Sequence, residues 1–388
     1  MEIEHERLYT HHALSDNERK NLTILETIRK KGPLSISGIS QLTGIDAASI
    51  SESLKGYLKK GLISEREASS SGKNASPLIG LNAAGAYLIG VDAGAGYIRA
   101  VLTDLSLDVK EKAVSEKPSR PEEVAAGAAD TVLGLIEKSG VKRSAIKAIG
   151  IGTCDPERTG ICGVMEKRTG IGTYTGTDAA CAASGEKRLN AEADVENLLY
   201  MHSDVGCGIV VSGDIYFGAD GGAGGMRASG EERSGAAESL FFEESKYLRP
   251  WGGDLGIVRV ARREVERGVG TKIVALARGN INSITKEVVI DAAHDKDDVA
   301  LDIIKSAAMN LGIRIAYLVN LFNPEAVVIG GGIEKAGEIV LGPIRESVRK
   351  FAFSKQANTV KILPSVLGRD AVSIGAATLA AREIFLKA

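Results

Sequence analysis

The stretch Ile89-Gly90-Val91-Asp92-Ala93-Gly94-Ala95-Gly96-Tyr97-Ile98, continuing through Asp104, constrains the fold most. Apolar, β-prone Ile89 and Val91 precede its glycines, and Ile98, Val101 and Leu102 follow them. The pattern predicts two strands joined by a tight turn. Gly94 and Gly96 permit positive φ and close approach of backbone to a ligand. Asp92 stands at the mouth of the turn. Taken alone, the stretch is equally an ordinary glycine-rich hairpin, so the rest of the chain has to decide.

A second strand–turn–strand with glycines follows at Leu198–Met201 and Ser203-Asp204-Val205-Gly206-Cys207-Gly208-Ile209-Val210-Val211. It repeats the logic of the first, as a duplicated two-lobe fold would. Gly213-Asp214 reads as the next hairpin turn. Val109–Val114 completes a meander after the first hairpin. Pro121–Gly140 is predicted helical, with Val124, Ala128, Val132 and Ile136 on one face. Ile146–Gly152 is a buried strand. Thr177-Asp178 opens an Ala-rich helix. Further helices are predicted over 254–267, 270–277, 285–294, 297–320 and 371–385. Ala326–Ile329 is a strand opening on Gly330-Gly331-Gly332.

Residues 1–82 read as a separate unit. Leu22, Leu25 and Ile28 share a helix face, with Asp16 or Asn17 as N-cap and Gly32-Pro33 as stop. Ser35 caps a second helix that Gly44 breaks. Asp46 caps a third helix reaching Lys60, with Ile50, Leu54 and Leu58 inward. Strands from Gly61-Leu62-Ile63 and at Leu78–Leu81 flank a polar turn, 69–76. Three helices and a β-hairpin are the winged helix-turn-helix order. Such a unit places its third helix in the major groove of double-stranded DNA. The candidate DNA-binding residues are Ala47, Ala48, Ser49, Ser51, Glu52 and Lys55, with Lys73 and Asn74 at the wing tip. Lys59 and Lys60 are expected at phosphates. The unit holds 11 Lys and Arg against 10 Asp and Glu, a net charge of +1, so two copies on two half-sites are expected.

Composition narrows the alternatives. A net charge of −2 gives no chain-wide reason to bind nucleic acid, and 4% aromatics argue against stacking platforms. No apolar run has membrane-spanning length, and the polar N-terminus is no signal peptide. Cys154, Cys162, Cys181 and Cys207 lack close pairing or metal spacing, which fits a reducing cytoplasm.

The winged helix, "GVDAGAGYIRA", "VGCGIVVSGDIYFGADGGAG" and "NPEAVVIGGGI" occur in an order that resembles the ROK family of repressors, open reading frames and sugar kinases. The resemblance covers nearly the whole chain. It implies an α/β fold: the winged helix at 1–82, then an actin-like (ribonuclease H-like) domain of two lobes at 83–388. Lobe one spans about 83–180 with helix 371–388, and lobe two about 181–370. It further implies a sugar site and, in the kinases, Mg-ATP. Members carrying a winged helix are usually sugar-responsive repressors.

Site residues carried over by this resemblance are altered. Asp178 falls where the kinases keep their general base, but Thr177 replaces the preceding Asn. These two are the candidate sugar ligands. The pattern Ala-Gly-Glu-x-Gly-His becomes Ala223-Gly224-Gly225-Met226-Arg227-Ala228, which loses both sugar ligands. The nucleotide candidates are Asp92 and Gly94 in the first loop, Ser203, Gly206 and Gly208 in the second, and Gly330, Gly331 and Gly332. Ala95, Gly96 and Asp204 depart from the kinase loops. No His and Cys cluster occurs between Gly230 and Arg259, so no structural zinc is expected. Between Ile151 and Asp178 the resemblance implies a chain shorter than in typical relatives, lacking a segment that helps wall the sugar cleft around Gly163–Glu166. The resulting expectation is a cytoplasmic, non-enzymatic DNA-binding repressor of carbohydrate genes. It would respond to a small sugar-like effector, form a homodimer or dimer of dimers, and need no cofactor. The alternatives are an ATP-dependent sugar kinase and a ligand-independent regulator whose large domain is a dimerisation scaffold.

Overall fold

Ser15, rather than Asp16 or Asn17, caps the first helix, α1 (Asp16–Lys31). Its hydroxyl accepts from the Glu18 amide, and the Glu18 carboxylate accepts from the Ser15 amide at 2.8 Å. This reciprocal pair satisfies two orphan donors at once. Helix α2 (Ile36–Thr43) is capped by Ser35 and stopped by Gly44 at φ 71°. Helix α3 (Ala47–Lys59) is capped by Asp46. Ile24, Leu25, Ile28, Ile39, Ile50, Leu54 and Tyr57 are buried. Tyr57 thus takes the inward position expected of Leu58. Strand β1 (Ile63–Arg66) pairs antiparallel with β2 (Leu78–Leu81) as the wing.

The computed structural model describes residues 14–66, 76–94, 96–153, 160–202, 206–219, 221–225 and 254–387. Lys73, Asn74, Cys154, Ser203 and Asp204 lie outside them.

The first large sheet comprises β3 (Tyr87–Asp92), β4 (Tyr97–Asp104), β5 (Val109–Glu116), β6 (Ile146–Thr153) and β7 (Thr173–Thr177), in the order β5-β4-β3-β6-β7. Its first three strands are antiparallel, and β3, β6 and β7 run parallel. Helices α4 (Pro121–Ser139) and α5 (Ile161–Thr169) cover one face with Val132, Leu135, Ile161 and Met165. Helix α5 covers Gly163–Glu166, the point at which the chain is expected to be shorter than its relatives. Helix α6 (Asp178–Leu189) follows β7 directly.

The second sheet comprises β8 (Leu198–His202), β9 (Gly206–Val211), β10 (Asp214–Ile215), β11 (Ala326–Gly330) and β12 (Lys361–Pro364), in the order β10-β9-β8-β11-β12. Strands β8, β11 and β12 are parallel. The two sheets therefore repeat one topology, the structural form of the echo between the two hairpins. The β9–β10 turn uses Ser212 and Gly213, at φ 50° and 82°, rather than Gly213-Asp214. Around this sheet lie α7 (Asp254–Glu266), α8 (Lys272–Leu276), α9 (Lys286–His294), α10 (Asp298–Phe322), α11 (Glu338–Phe351) and α12 (Ser354–Thr359). Neither α11, α12 nor β12 was legible in the sequence.

The last helix, α13 (Ala371–Leu386), seats on the first sheet. A Cβ on Gly90 would stand 1.8 Å from the Ser373 carbonyl oxygen, and one on Gly152 would stand 2.4 Å from Val372 Cγ1. Glycine is what lets the helix approach that closely. By contact, the chain forms two compact units. One holds 1–181, 218–221 and 372–388; the other holds 182–217 and 222–371. The winged helix is grouped with the first sheet rather than standing apart. Among the described residues no helix is long and apolar enough to cross a membrane.

Candidate functional site

Helix α3 presents Ala47, Ala48, Ser51, Glu52 and Lys55 exposed, with Ser49 half-buried. The Asp46 carboxylate accepts from the Ser49 amide at 2.8 Å and from its hydroxyl at 2.6 Å. The hydroxyl and amide of Ser49 hold the Asp46 carboxyl below its ordinary value. Ser49 can then meet a base edge only as an acceptor. Lys55 pairs with Glu52 at 2.6 Å. The short side chains at the N-terminal end leave room for base edges and thymine methyls.

The other end of α3 differs from expectation. Lys60, expected at a phosphate, donates from Nζ to the Lys387 carbonyl at 2.7 Å. Tyr57 donates its hydroxyl to the Phe385 carbonyl at 3.2 Å and meets the Phe385 ring edge-on at 6.1 Å. Burial pushes the Tyr57 phenol up to about 12. Lys387 in turn donates to the Tyr174 hydroxyl at 2.6 Å and lies 4.3 Å from its ring centroid. Sequence reading found no sign of the roles of Phe385, Lys387 and Tyr174, and pointed Lys60 to phosphate instead. Its one available signal was Tyr57, three positions after Leu54 on a helix.

In the same unit, parallel strands β3 and β7 bring Asp92 and Thr177-Asp178 to one edge of the sheet, at the strands' C-terminal ends. Open α/β sheets bind ligands at that edge. Asp92 Oδ1 accepts from the Gly94 amide at 2.9 Å. Burial pushes the Asp92 carboxyl up to about 7; the Gly94 amide opposes this and the charge of Asp178 adds to it. Lys117 donates to the Gly94 carbonyl at 2.5 Å and to that of Ala93 at 3.4 Å. Asp178 is buried, and its Oδ1 accepts from the Ala179 amide at 2.8 Å. Thr177 supplies the helix cap instead, its hydroxyl oxygen accepting from the Ala180 amide at 3.2 Å.

The second unit holds the remaining glycines. Gly206 and Gly208 lie in β9, and Gly206 bridges to Gly225. Gly224 has φ 83°, and a Cβ there would stand 1.7 Å from the Cys207 carbonyl oxygen. Met226, Arg227 and Ala228 lie outside the described residues. Gly330 packs under the Tyr200 ring, and Gly331 and Gly332 turn the chain at φ 82° and 97°. The Lys286 ammonium bonds the Gly331 carbonyl, and the Glu334 carboxylate accepts from the Gly332 amide at 2.7 Å. Both side chains are buried. Among the described residues no group of three or more His, Cys, Asp or Glu could hold a metal ion. Of the stretch expected to hold no zinc cluster, Gly230 to Arg259, residues 230–253 lie outside them.

Comparison with known proteins agrees with this architecture. The model of the ROK family matches residues 88–227 and 267–383. The xylose repressor of Bacillus spizizenii is 23% identical over 382 residues, covering 92% of this chain and 93% of that protein. The DNA-binding transcriptional dual regulator NagC of Escherichia coli is 24% identical over 382 residues, covering 93% and 92%. A crystal structure described as a ROK family transcriptional regulator, homologous to the E. coli MLC protein, superposes with TM-score 0.75. It is 21% identical and covers 96% of this chain and 98% of its own.

Proposed function

This chain belongs to the ROK family, and from that premise we propose that it is a sequence-specific transcriptional repressor of carbohydrate genes, answering to a small sugar and working in the cytoplasm. The observation that carries the reading is α3, which presents small side chains from a capped N-terminus beside a β-wing. The xylose repressor and NagC align over more than nine-tenths of this chain, so their likeness extends into the winged helix. The name of the xylose repressor, and that of a further relative, the N-acetylglucosamine repressor of Escherichia coli O157:H7, make D-xylose and N-acetylglucosamine the first effectors to try. Asp178 and Thr177 are the proposed sugar ligands in the first unit.

The reading includes no bound Mg-ATP. Lys117 takes the carbonyls of Ala93 and Gly94, and Lys286 and Glu334 take the backbone of the Gly331-Gly332 turn. Gly96 also lacks the hydroxyl of the kinase loops. The Glu334 carboxylate on the Gly332 amide takes a donor that a triphosphate would need and places a negative charge beside it, and a general base alone would not make a kinase. The active species is a homodimer or dimer of dimers on paired half-sites. Exposed Tyr317 and Leu321 on α10, with exposed Phe353 held to Asn320 at 2.7 Å, offer an apolar surface for that contact.

The test is selection of duplexes from a random-sequence pool by the full chain. An enriched palindrome, weakened by one of these sugars, is the expected result. Failure to enrich any sequence, together with sugar phosphorylation lost in Asp178→Asn, would make the kinase alternative correct.

A further inference from the structure

Helix α13 touches the first sheet at one end and the reading helix at the other. Its first turn lies against Gly90 and Gly152, next to the edge that carries Asp92. Its sixteen residues span about 24 Å at 1.5 Å per residue. Its C-terminal end accepts two hydrogen bonds from that of α3: the Phe385 carbonyl from Tyr57, and the carbonyl of Lys387, just past the helix, from Lys60, just past α3. Those carbonyls have no partner within their own helix, because a helix leaves its final four unsatisfied. Two side chains of the DNA reader therefore cap α13. Lys387 is also pinned to Tyr174 on β7.

Tyr57 makes the point sharply. Its ring is buried in the three-helix core, where phenylalanine would pack as well. Its hydroxyl reaches outside that core to bond Phe385. The covalent connection is also fixed. Asn82 bonds the Gly61 carbonyl at 2.8 Å, and a Cβ on Gly85 would stand 2.1 Å from that same oxygen. A winged helix on a loose tether would show neither feature.

We propose that Tyr57 and Lys60 are positioning residues for operator binding: by capping α13, they fix the reading helix to the large domain. This rests on the DNA-reading function proposed above. Tyr57 is buried away from any groove, and Lys60 is committed to a carbonyl, so both act through α13 rather than by touching DNA.

The test uses the full chain and the duplex it selects from a random pool. In Tyr57→Phe/Lys60→Met, operator Kd should rise by at least about tenfold, the order expected when a fixed docking geometry is lost. The wild-type melting temperature and the amide protection within α1 and α2 should be retained. Lys60→Arg, which keeps a donor for Lys387, should bind within about threefold of wild type. The slope of log K against log salt separates the roles of Lys60. A phosphate contact would reduce it by about 0.9 in Lys60→Met, whereas a positioning residue leaves it unchanged. Hydrogen exchange without DNA gives a second arm. The last turn of α13 should be protected in the wild type, whereas an unpinned terminus frays. In the double variant it should exchange at least about tenfold faster while α1 stays protected. Operator affinity within about twofold of wild type in the double variant, a reduced salt slope, or unchanged exchange at 384–387 would each overturn the proposal. If the wild type selects no sequence, the repressor reading falls, and the exchange arm still decides whether α3 and α13 are latched.

Discussion

The ammonium of Lys55 stands 2.6 Å from the carboxylate of Glu52, one turn apart on the exposed face of α3. Both side chains are largely solvent-exposed, so the pair contributes little to stability, on the order of 0–1 kcal/mol. It matters more for DNA. Glu52 neutralises Lys55 and adds its own repulsion to phosphate. Glu52→Gln should therefore tighten binding to any duplex and make the salt slope steeper by about 0.9, the value for one added phosphate contact. Lys55→Gln should leave that slope unchanged. Fluorescence anisotropy across a salt series measures both, and an unchanged slope in Glu52→Gln would show that Lys55 does not reach phosphate.

Gly90 is where the last helix meets the first sheet. A methyl there would overlap the Ser373 carbonyl oxygen at 1.8 Å and the Ala377 amide at 2.6 Å. Both are backbone atoms and cannot rotate away. Gly90→Ala should destabilise by about 3 kcal/mol or more, the upper range for overpacking a core. Denaturant unfolding reads this directly. Gly134→Ala, on α4 with open space at its Cβ, is the control and should be neutral or mildly stabilising.

What the sequence revealed and what it concealed divide by range. Local rules placed Ser35, Gly44 and Asp46 at helix ends, because a cap and its helix lie within a few residues. Period-two runs and glycines marked both hairpins for the same reason. Ser15 was missed because Asp16, Asn17 and Ser15 are all competent caps, and only the return bond from Glu18 decides among them. Tyr57, Lys60 and Lys387 were missed because their partners are more than 200 residues away in the chain. No local periodicity reports that a lysine will cap a distant helix rather than meet phosphate. Lys286 and Glu334 were invisible for another reason: three glycines in a row look alike whether the turn faces a ligand or is bonded by its own chain.

Asp92 gives the chain a pH signature. Its carboxyl is raised by burial and by Asp178 from 3.8 to about 7. The folded protein therefore binds a proton that the unfolded chain releases between those two values. Where the native state holds more protons, stability falls as pH rises. Stability should decline from about pH 4 to about pH 7 through this group and level off above. Asp92→Asn keeps an acceptor for the Gly94 amide and removes the titration. It should raise the melting temperature at pH 8 and flatten the difference between pH 5 and pH 8. An unaltered pH profile in Asp92→Asn would mean that the carboxyl titrates in its ordinary range.

Asp178 is the residue on which the sugar reading and the kinase reading part. It is buried, and its described bond from the Ala179 amide occupies Oδ1. A sugar hydroxyl donating to this carboxylate would make a charge-assisted bond in a site shielded from water, the setting in which such bonds are strongest. A bound effector stabilises the fold by mass action, by about 2.7 kcal/mol at one hundred times its Kd. D-xylose or N-acetylglucosamine should raise the melting temperature of the wild type and not that of Asp178→Asn. Linkage then requires reciprocity. If the sugar weakens operator binding by some factor, operator must weaken sugar binding by the same factor, measurable by titrating sugar with and without DNA. Equal sugar affinity in both titrations would exclude an allosteric repressor. Mg-ATP should shift neither quantity, because the Glu334 carboxylate already takes the Gly332 amide, a donor that a phosphate would need.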